Sequence, residues 1–173
     1  MSDANAPDYV ANAQRDDGRP AADLIAEYEA GTGRLVAALD GLSDEQMRAR
    51  PVAGKWSMLE LLCHLADCEQ MYAERIKRTL GHDRPLLMGM DPVEYARDLR
   101  YNDADPALML ELFRVCRAEC AAVLRRCEEA AWRREAVHSE TGVVNLRQLV
   151  LHAVRHLDHH WPFIDEKRSA LGA

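Results

Sequence analysis

Four of the seven histidines fall within a single stretch, Leu151-His152-Ala153-Val154-Arg155-His156-Leu157-Asp158-His159-His160-Trp161. Residues four apart on a helix stand one above the other with Cβ atoms ~5–6 Å apart, so two imidazoles at that spacing can converge on one ion. Both His152/His156 and His156/His160 have the spacing. Helical phase separates them. At about 100° per residue, His160 falls near the centre of the apolar stripe made by Leu146, Ala153, Leu157 and Ile164, and His156 falls on its flank. His152 and His159 point farther toward solvent, which leaves His156/His160 as the inward pair. A third protein ligand is needed, and the other histidine predicted to lie in a long helix is His64, in Leu62-Cys63-His64-Leu65-Ala66-Asp67, beside the stripe of Leu61, Leu65, Tyr72 and Ile76. Three neutral imidazoles with an open position filled by water describe a catalytic or exchangeable site, because a structural zinc is normally closed by four protein ligands. Imidazole suits Zn, Ni, Cu and Fe alike, so the donors do not name the metal. Histidines that are simply satisfied or exposed, without an ion, remain the alternative at this point.

Other residues with chemical potential have simpler readings. Cys68, four residues after His64, has the spacing of a fourth ligand but reads better as a small buried thiol. Cys116 and Cys120 share an apolar face with Met109 and Phe113 and read as core filler. Asp67 and Asp158 either orient a ligating imidazole or are solvated helix carboxylates. Glu60 lies one turn from His64, where a general base would be useful, yet its place in Ser57-Met58-Leu59-Glu60 is that of a capping box, which already accounts for it. Trp56 and Trp161 read as packing anchors. No Ser/His/Asp order, Gly-rich phosphate loop or aromatic-basic surface stands out.

The elements that must position these residues are helices. Pro20 opens the first, in which Leu24, Tyr28, Gly31, Leu35 and Leu39 recur at helical spacing and Gly41 marks the stop. A connector with Pro51 and Gly54 leads to the second, from Ser57 to about Leu80. Pro92-Val93-Glu94-Tyr95 has the form of a short helix within an otherwise irregular stretch. Asp105-Pro106 opens the third long helix, with Asp as N-cap and Pro at the first helical position, carrying Met109, Leu112, Phe113, Cys116, Cys120, Val123 and Cys127 on one face. Arg133 to Val144 is the one plausible hairpin, with Ala136-Val137 and Val143-Val144 as its arms. Asn145 caps the fourth long helix, through about Lys167. Four long amphipathic segments and almost no strand pattern predict an all-α chain, a four-helix bundle.

With 173 residues, 48% hydrophobic and 29% charged, the chain fits one soluble domain, 20–173, behind an N-terminal arm, 1–19, that lacks apolar periodicity. A chain of this length buries about 68–70% of its unfolded surface, so it does not need a metal merely to fold, and a metal site invites a functional explanation. The net charge of -7, with Lys and Arg scattered, argues against a nucleic-acid partner. No run approaches the ~18 apolar residues of a membrane span. Without a basic or apolar leader at Met1-Ser2-Asp3-Ala4-Asn5-Ala6-Pro7, the expected location is cytoplasmic, where five cysteines lacking a CxxC pair are expected as free thiols.

Gly54-Lys55-Trp56-Ser57, His64-Leu65-Ala66-Asp67 and His156-Leu157-Asp158-His159-His160, in this order, closely resemble the DinB/YfiT-like superfamily. The resemblance spans about Leu24 to Leu171, including a short hairpin before the last helix. It implies a four-helix bundle of unusual connectivity, often a homodimer, holding one divalent ion, Zn or Ni, near one end on His64, His156 and His160. Members with assigned activities look like transferases that use low-molecular-weight thiols such as bacillithiol, mycothiol or glutathione, with a related maleylpyruvate isomerase. Others are labelled metal-dependent hydrolases. The chain departs from the pattern at Trp161-Pro162-Phe163, where Pro162 removes one helical hydrogen bond and is expected to kink the last helix. The expectation is a metal-dependent thiol S-transferase acting on a small molecule. The alternatives are a metal-dependent hydrolase and a non-catalytic, metal-stabilised, stress-related binding protein.

Overall fold

A computed structural model describes residues 15–173, and the part of the expected N-terminal arm before Arg15 lies outside these described residues. Among them are six α-helices, two 3-10 turns and a small three-stranded sheet. Helix α1, Ala21–Leu39, starts after Pro20 and stops before Gly41, which takes φ 77°. The short α2, Asp44–Arg48, was not expected from the sequence, being too short to show a period. It is set by a capping box in which Ser43 Oγ accepts from Gln46 N and Gln46 Oε1 accepts from Ser43 N. Helix α3, Met58–Gly81, starts on the expected Ser57/Glu60 box, with distances of 3.0 and 2.7 Å. Arg50 holds the same Glu60 carboxylate at 2.6 and 2.9 Å.

Helices α4, Pro92–Asp98, and α5, Pro106–Arg125, both begin with an Asp N-cap followed by Pro, so the lost N–H is one that had no intrahelical partner. The hairpin forms as β2, Glu135–His138, antiparallel to β3, Gly142–Asn145. A third strand, β1, Leu86–Leu87, lies parallel to β2 in the order β1-β2-β3. Asn145 and Gln148 cap α6, Leu146–Leu171, which runs through Pro162 and ends at Gly172 with φ 71°.

The four long helices α1, α3, α5 and α6 form the bundle, with α3 packed on α5 and α6 and α1 on the same pair. No helix of the described residues is long and apolar enough to cross a membrane. Two apolar clusters fill the interior, one around Leu24, Tyr72, Ile76, Leu149 and Val150, the other around Leu35, Leu62, Leu65, Phe113, Leu157 and Ile164. Helix α6 passes from the first to the second between Val154 and Leu157, which is where His156 projects.

Polar groups also join the helices inside the core. Arg117 of α5 and Glu69 of α3 are each 2% exposed. Arg117 donates from Nε to Glu69 Oε2 at 3.0 Å and from Nη2 to the Ala153 carbonyl of α6 at 3.1 Å. Its guanidinium lies 4.5 Å from the Tyr28 ring and 4.6 Å from the Phe113 ring. Tyr28 of α1 donates its hydroxyl to the other Glu69 oxygen. Burial raises the Glu69 carboxyl above its ordinary range, with Arg117 and Tyr28 pulling it back.

Gly31 is the space that admits this guanidinium, because a Cβ there would collide with Arg117 Nη1 and stand 2.8 Å from Leu157 Cδ2. Gly31→Ala would gain up to about 1 kcal/mol of helix propensity, against about 1–3 kcal/mol for overpacking a fixed core. The expected net effect is a loss of about 1–2 kcal/mol by denaturant titration, and a gain in stability would contradict this packing.

Candidate metal centre

Helix α3 supplies His64, and α6 supplies His156 and His160 one turn apart. They are 3%, 9% and 1% exposed. Their Nε2 atoms form a nearly equilateral triangle, with His64 to His156 3.2 Å, His64 to His160 3.1 Å and His156 to His160 3.2 Å. Tetrahedral coordination at the usual Zn–N distance of about 2.0–2.1 Å requires ligand nitrogens about 3.3 Å apart. The triangle therefore has the dimensions of one face of such a polyhedron. Hydrogen bonding alone does not explain it, since a straight N–H···N bond along one edge leaves the third nitrogen without a well-aligned partner in the triangle. An arrangement using all three nitrogens together would place protons on the Nδ1 atoms and direct three Nε2 lone pairs at a shared cation.

Electrostatics favours neutral rings for the α6 pair. Desolvation, followed by the charges of His160 and His64, holds His156 well below the ordinary imidazole range, and desolvation followed by His64 does the same to His160. Burial and the charge of Arg75 lower His152 to about 4. His156 and His160 are thus held in the neutral form that ligating imidazoles must have.

The sign of the resulting pH dependence follows from proton counting. Below the unfolded value of about 6.5, the unfolded chain binds protons that these histidines in the folded chain refuse. Stability of chelator-treated protein is therefore expected to fall as pH drops from ~6.5 to ~5, by about 1.4 kcal/mol per pH unit for each such group. Thermal melts across that range test this, and a flat profile would contradict the neutral buried state.

The surroundings bear on the other candidate residues. Cys68 Sγ is almost equidistant from the two ring nitrogens of His64, 3.7 Å from Nδ1 and 3.8 Å from Nε2. It thus sits beside the ring and not in line with the Nε2 lone pair, although its sulfur falls with His64 and His156 in a group whose donor atoms lie within 4.8 Å of one another. Burial pushes its thiol far up, as expected for an inert buried cysteine. Asp67 accepts from the Tyr101 hydroxyl and Asp158 pairs with Arg34 at 2.8 Å, so each carboxylate has a partner outside the imidazole triangle. Arg50 and the Ser57 amide offset burial and hold Glu60 below its ordinary range, consistent with capping. Trp56 packs 5.3 Å from the His64 ring, and Arg34 lies 4.5 Å above Trp161. His160 Nδ1 is buried without a hydrogen-bond partner, so this ring lacks the usual support of a second acceptor.

One group escaped the sequence reading. Tyr72 lies 5.3 Å from the His152 ring and 5.7 Å from the His156 ring, and Arg75 follows it on α3 with the buried His138 of β2 nearby. Tyr72 and Arg75 are eight and eleven residues after His64, spacings that share its helical face, but only the folded chain reveals His138 beside them.

Comparison with known proteins identifies the family and the fold. The chain is 27% identical over 132 residues to a "Putative metal-dependent hydrolase" of Bacillus licheniformis, covering 76% of this chain and 75% of that one. It is 24% identical over 140 residues to "Putative metal-dependent hydrolase YfiT" of Bacillus subtilis, covering 80% and 79%. The solved YfiT structure, described as an unusual four-helix bundle topology, superimposes with a TM-score of 0.83 at 22% identity over 91% of this chain and 93% of that one. A mycothiol-dependent maleylpyruvate isomerase shares the fold with a TM-score of 0.67 at 15% identity, over 82% of this chain and 59% of the isomerase. A sequence model of the DinB superfamily matches residues 27–164, and the chain belongs to that superfamily.

Proposed function

We propose that this chain is a divalent-metal enzyme whose ion is held by His64, His156 and His160, and that it transfers a low-molecular-weight thiol to a small electrophile. The observation that carries the reading is the buried triangle of Nε2 atoms, 3.1–3.2 Å on each side. A divalent ion at such a site favours the thiolate form of a bound thiol and the hydroxide form of bound water. The chain's own contribution is positional. Helices α3 and α6 hold the imidazoles in register, desolvation keeps His156 and His160 unprotonated, and Trp56 and Tyr72 wall the cluster.

Imidazole donors suit Zn and Ni, and a homodimer in the cytoplasm is the setting we propose. The mycothiol dependence of the isomerase neighbour supports thiol transfer. The names of the Bacillus relatives support hydrolysis by the same centre as the second reading.

A scan of thiols against 1-chloro-2,4-dinitrobenzene, with zinc- or nickel-loaded protein, separates the two. Turnover that saturates with one thiol and falls at least ~100-fold in His160→Ala is expected, since even outer partners of ligands are worth 10–100-fold. Turnover absent with every thiol and either metal, in protein that hydrolyses ester or amide substrates, would replace transfer by hydrolysis. Absence of both would leave a metal-stabilised binding protein.

A further inference from the structure

Below the imidazole triangle the α3/α6 interface stays polar. Helix α3 presents Tyr72 and Arg75 after His64, while α6, running the opposite way, presents His152 after His160 and His156. Arg75 reaches the carbonyl of Met88, the residue after Leu87, and Leu87 pairs with His138 of β2, which closes the row. Arg75 is 7% exposed and makes one hydrogen bond, from Nη2 to the Met88 carbonyl. No carboxylate pairs with it among the described residues. Arg117, the other deeply buried arginine, shows what the fold does when a guanidinium serves the core, since it is matched by Glu69 and stacked between two rings. A buried charge without a counterion is expensive, and Arg75 has no such match.

His138 Nδ1 accepts from the Glu140 amide at 3.2 Å, which places the ring proton on Nε2 and makes that atom a donor. The Glu140 carboxylate rests against Gly89 and forms no ion pair with Arg75. We propose that Arg75, flanked by His138 and His152, is a binding subsite for a carboxylate group of the small-molecule ligand. This deepens the reading above, in which the ligand's reacting end lies at the three imidazoles, but the subsite is testable without it.

The charge balance selects the anion. Arg75 supplies the fixed positive charge of the row, and His138, whose Nδ1 accepts from the Glu140 amide, stands beside it as a neutral Nε2–H donor. The subsite carries one guanidinium charge and suits a monoanionic carboxylate, which an arginine fork accepts through two parallel hydrogen bonds, better than a phosphate dianion.

The test is calorimetric titration of glutarate, its neutral analogue glutaramide and inorganic phosphate into full-length protein, both chelator-treated and zinc-loaded. Wild type is expected to bind glutarate saturably in both states, phosphate more weakly and glutaramide not at all. Arg75→Met is expected to weaken glutarate more than tenfold, and Arg75→Lys, which keeps the charge but loses the fork, at least fivefold. Glutarate binding by chelator-treated wild type, which holds no metal, tells failure of the metal reading apart from failure of the subsite. Thermal melts show which variants fold, and Arg75→Lys decides the matter if Arg75→Met does not. No glutarate binding by wild type, unchanged affinity in the folded Arg75 variants, or binding confined to zinc-loaded protein would overturn the proposal.

Discussion

Replacing Glu69 by leucine is expected to cost the fold about 3–5 kcal/mol, which for a chain of this size lowers Tm by about 6–20 °C. The loss does not measure the value of the ion pair. It measures the state left behind, in which Arg117 stays 2% exposed with its charge unanswered and Tyr28 loses the acceptor for its hydroxyl. A buried ion pair replaced as a whole by apolar groups of similar volume is often neutral or stabilising. The double variant Glu69→Leu/Arg117→Met should therefore regain most of the loss, leaving the unpaired Tyr28 hydroxyl and Ala153 carbonyl contact as the residual cost. Denaturant titration of the two variants checks both halves. Equal destabilisation by the single and double changes would mean that the network's hydrogen bonds, not the isolated charge, set the cost.

Zinc loading is expected to stabilise the folded chain by about 4 kcal/mol when free ion is near 1,000 times Kd, a rise in Tm of about 8–16 °C. The imidazoles of His64 and of His156 with His160 come from α3 and α6, so an ion held by all three ties together two helices that are far apart in sequence. The unfolded chain offers no such triangle, and binding to the native state alone is what converts affinity into stability. A chelator should reverse the rise, and His160→Ala should abolish most of it. Differential scanning calorimetry at a fixed pH near 7.5 is the measurement, because proton binding by the buried histidines contributes below ~6.5. The same rise in the variant would place the ion elsewhere.

The parts of this structure that were legible in the sequence were those set by local rules. Phase along α6 separated the inward His156 and His160 from His152 and His159, and the burial pattern follows that division. The caps at Ser57, Asp105 and Asn145 are written in adjacent residues and appear where expected. The short helix at Asp44–Arg48 had a capping box too, but five residues give no apolar period to draw attention to it. Strand β1 is two residues whose partner, Val137–His138, lies some fifty positions away, a pairing with no local trace. Arg117 lies four residues after Phe113 and three before Cys120, on the apolar stripe of its helix, yet an arginine reads as solvated until Glu69 is found opposite. The same holds for Arg75. Its place on the His64 face follows from spacing, whereas its lack of a carboxylate partner is a property of the assembled bundle.

Everything proposed for the site rests on His64, His156 and His160 holding one divalent ion. Metal content of tag-free wild type and His156→Ala, measured by mass spectrometry after zinc loading and gel filtration, tests it most directly. About one ion per chain is expected in wild type, and a small fraction of that in a variant that still melts cooperatively. Retention of the ion by folded His156→Ala, or a wild type that cannot be loaded with any divalent metal, would contradict it.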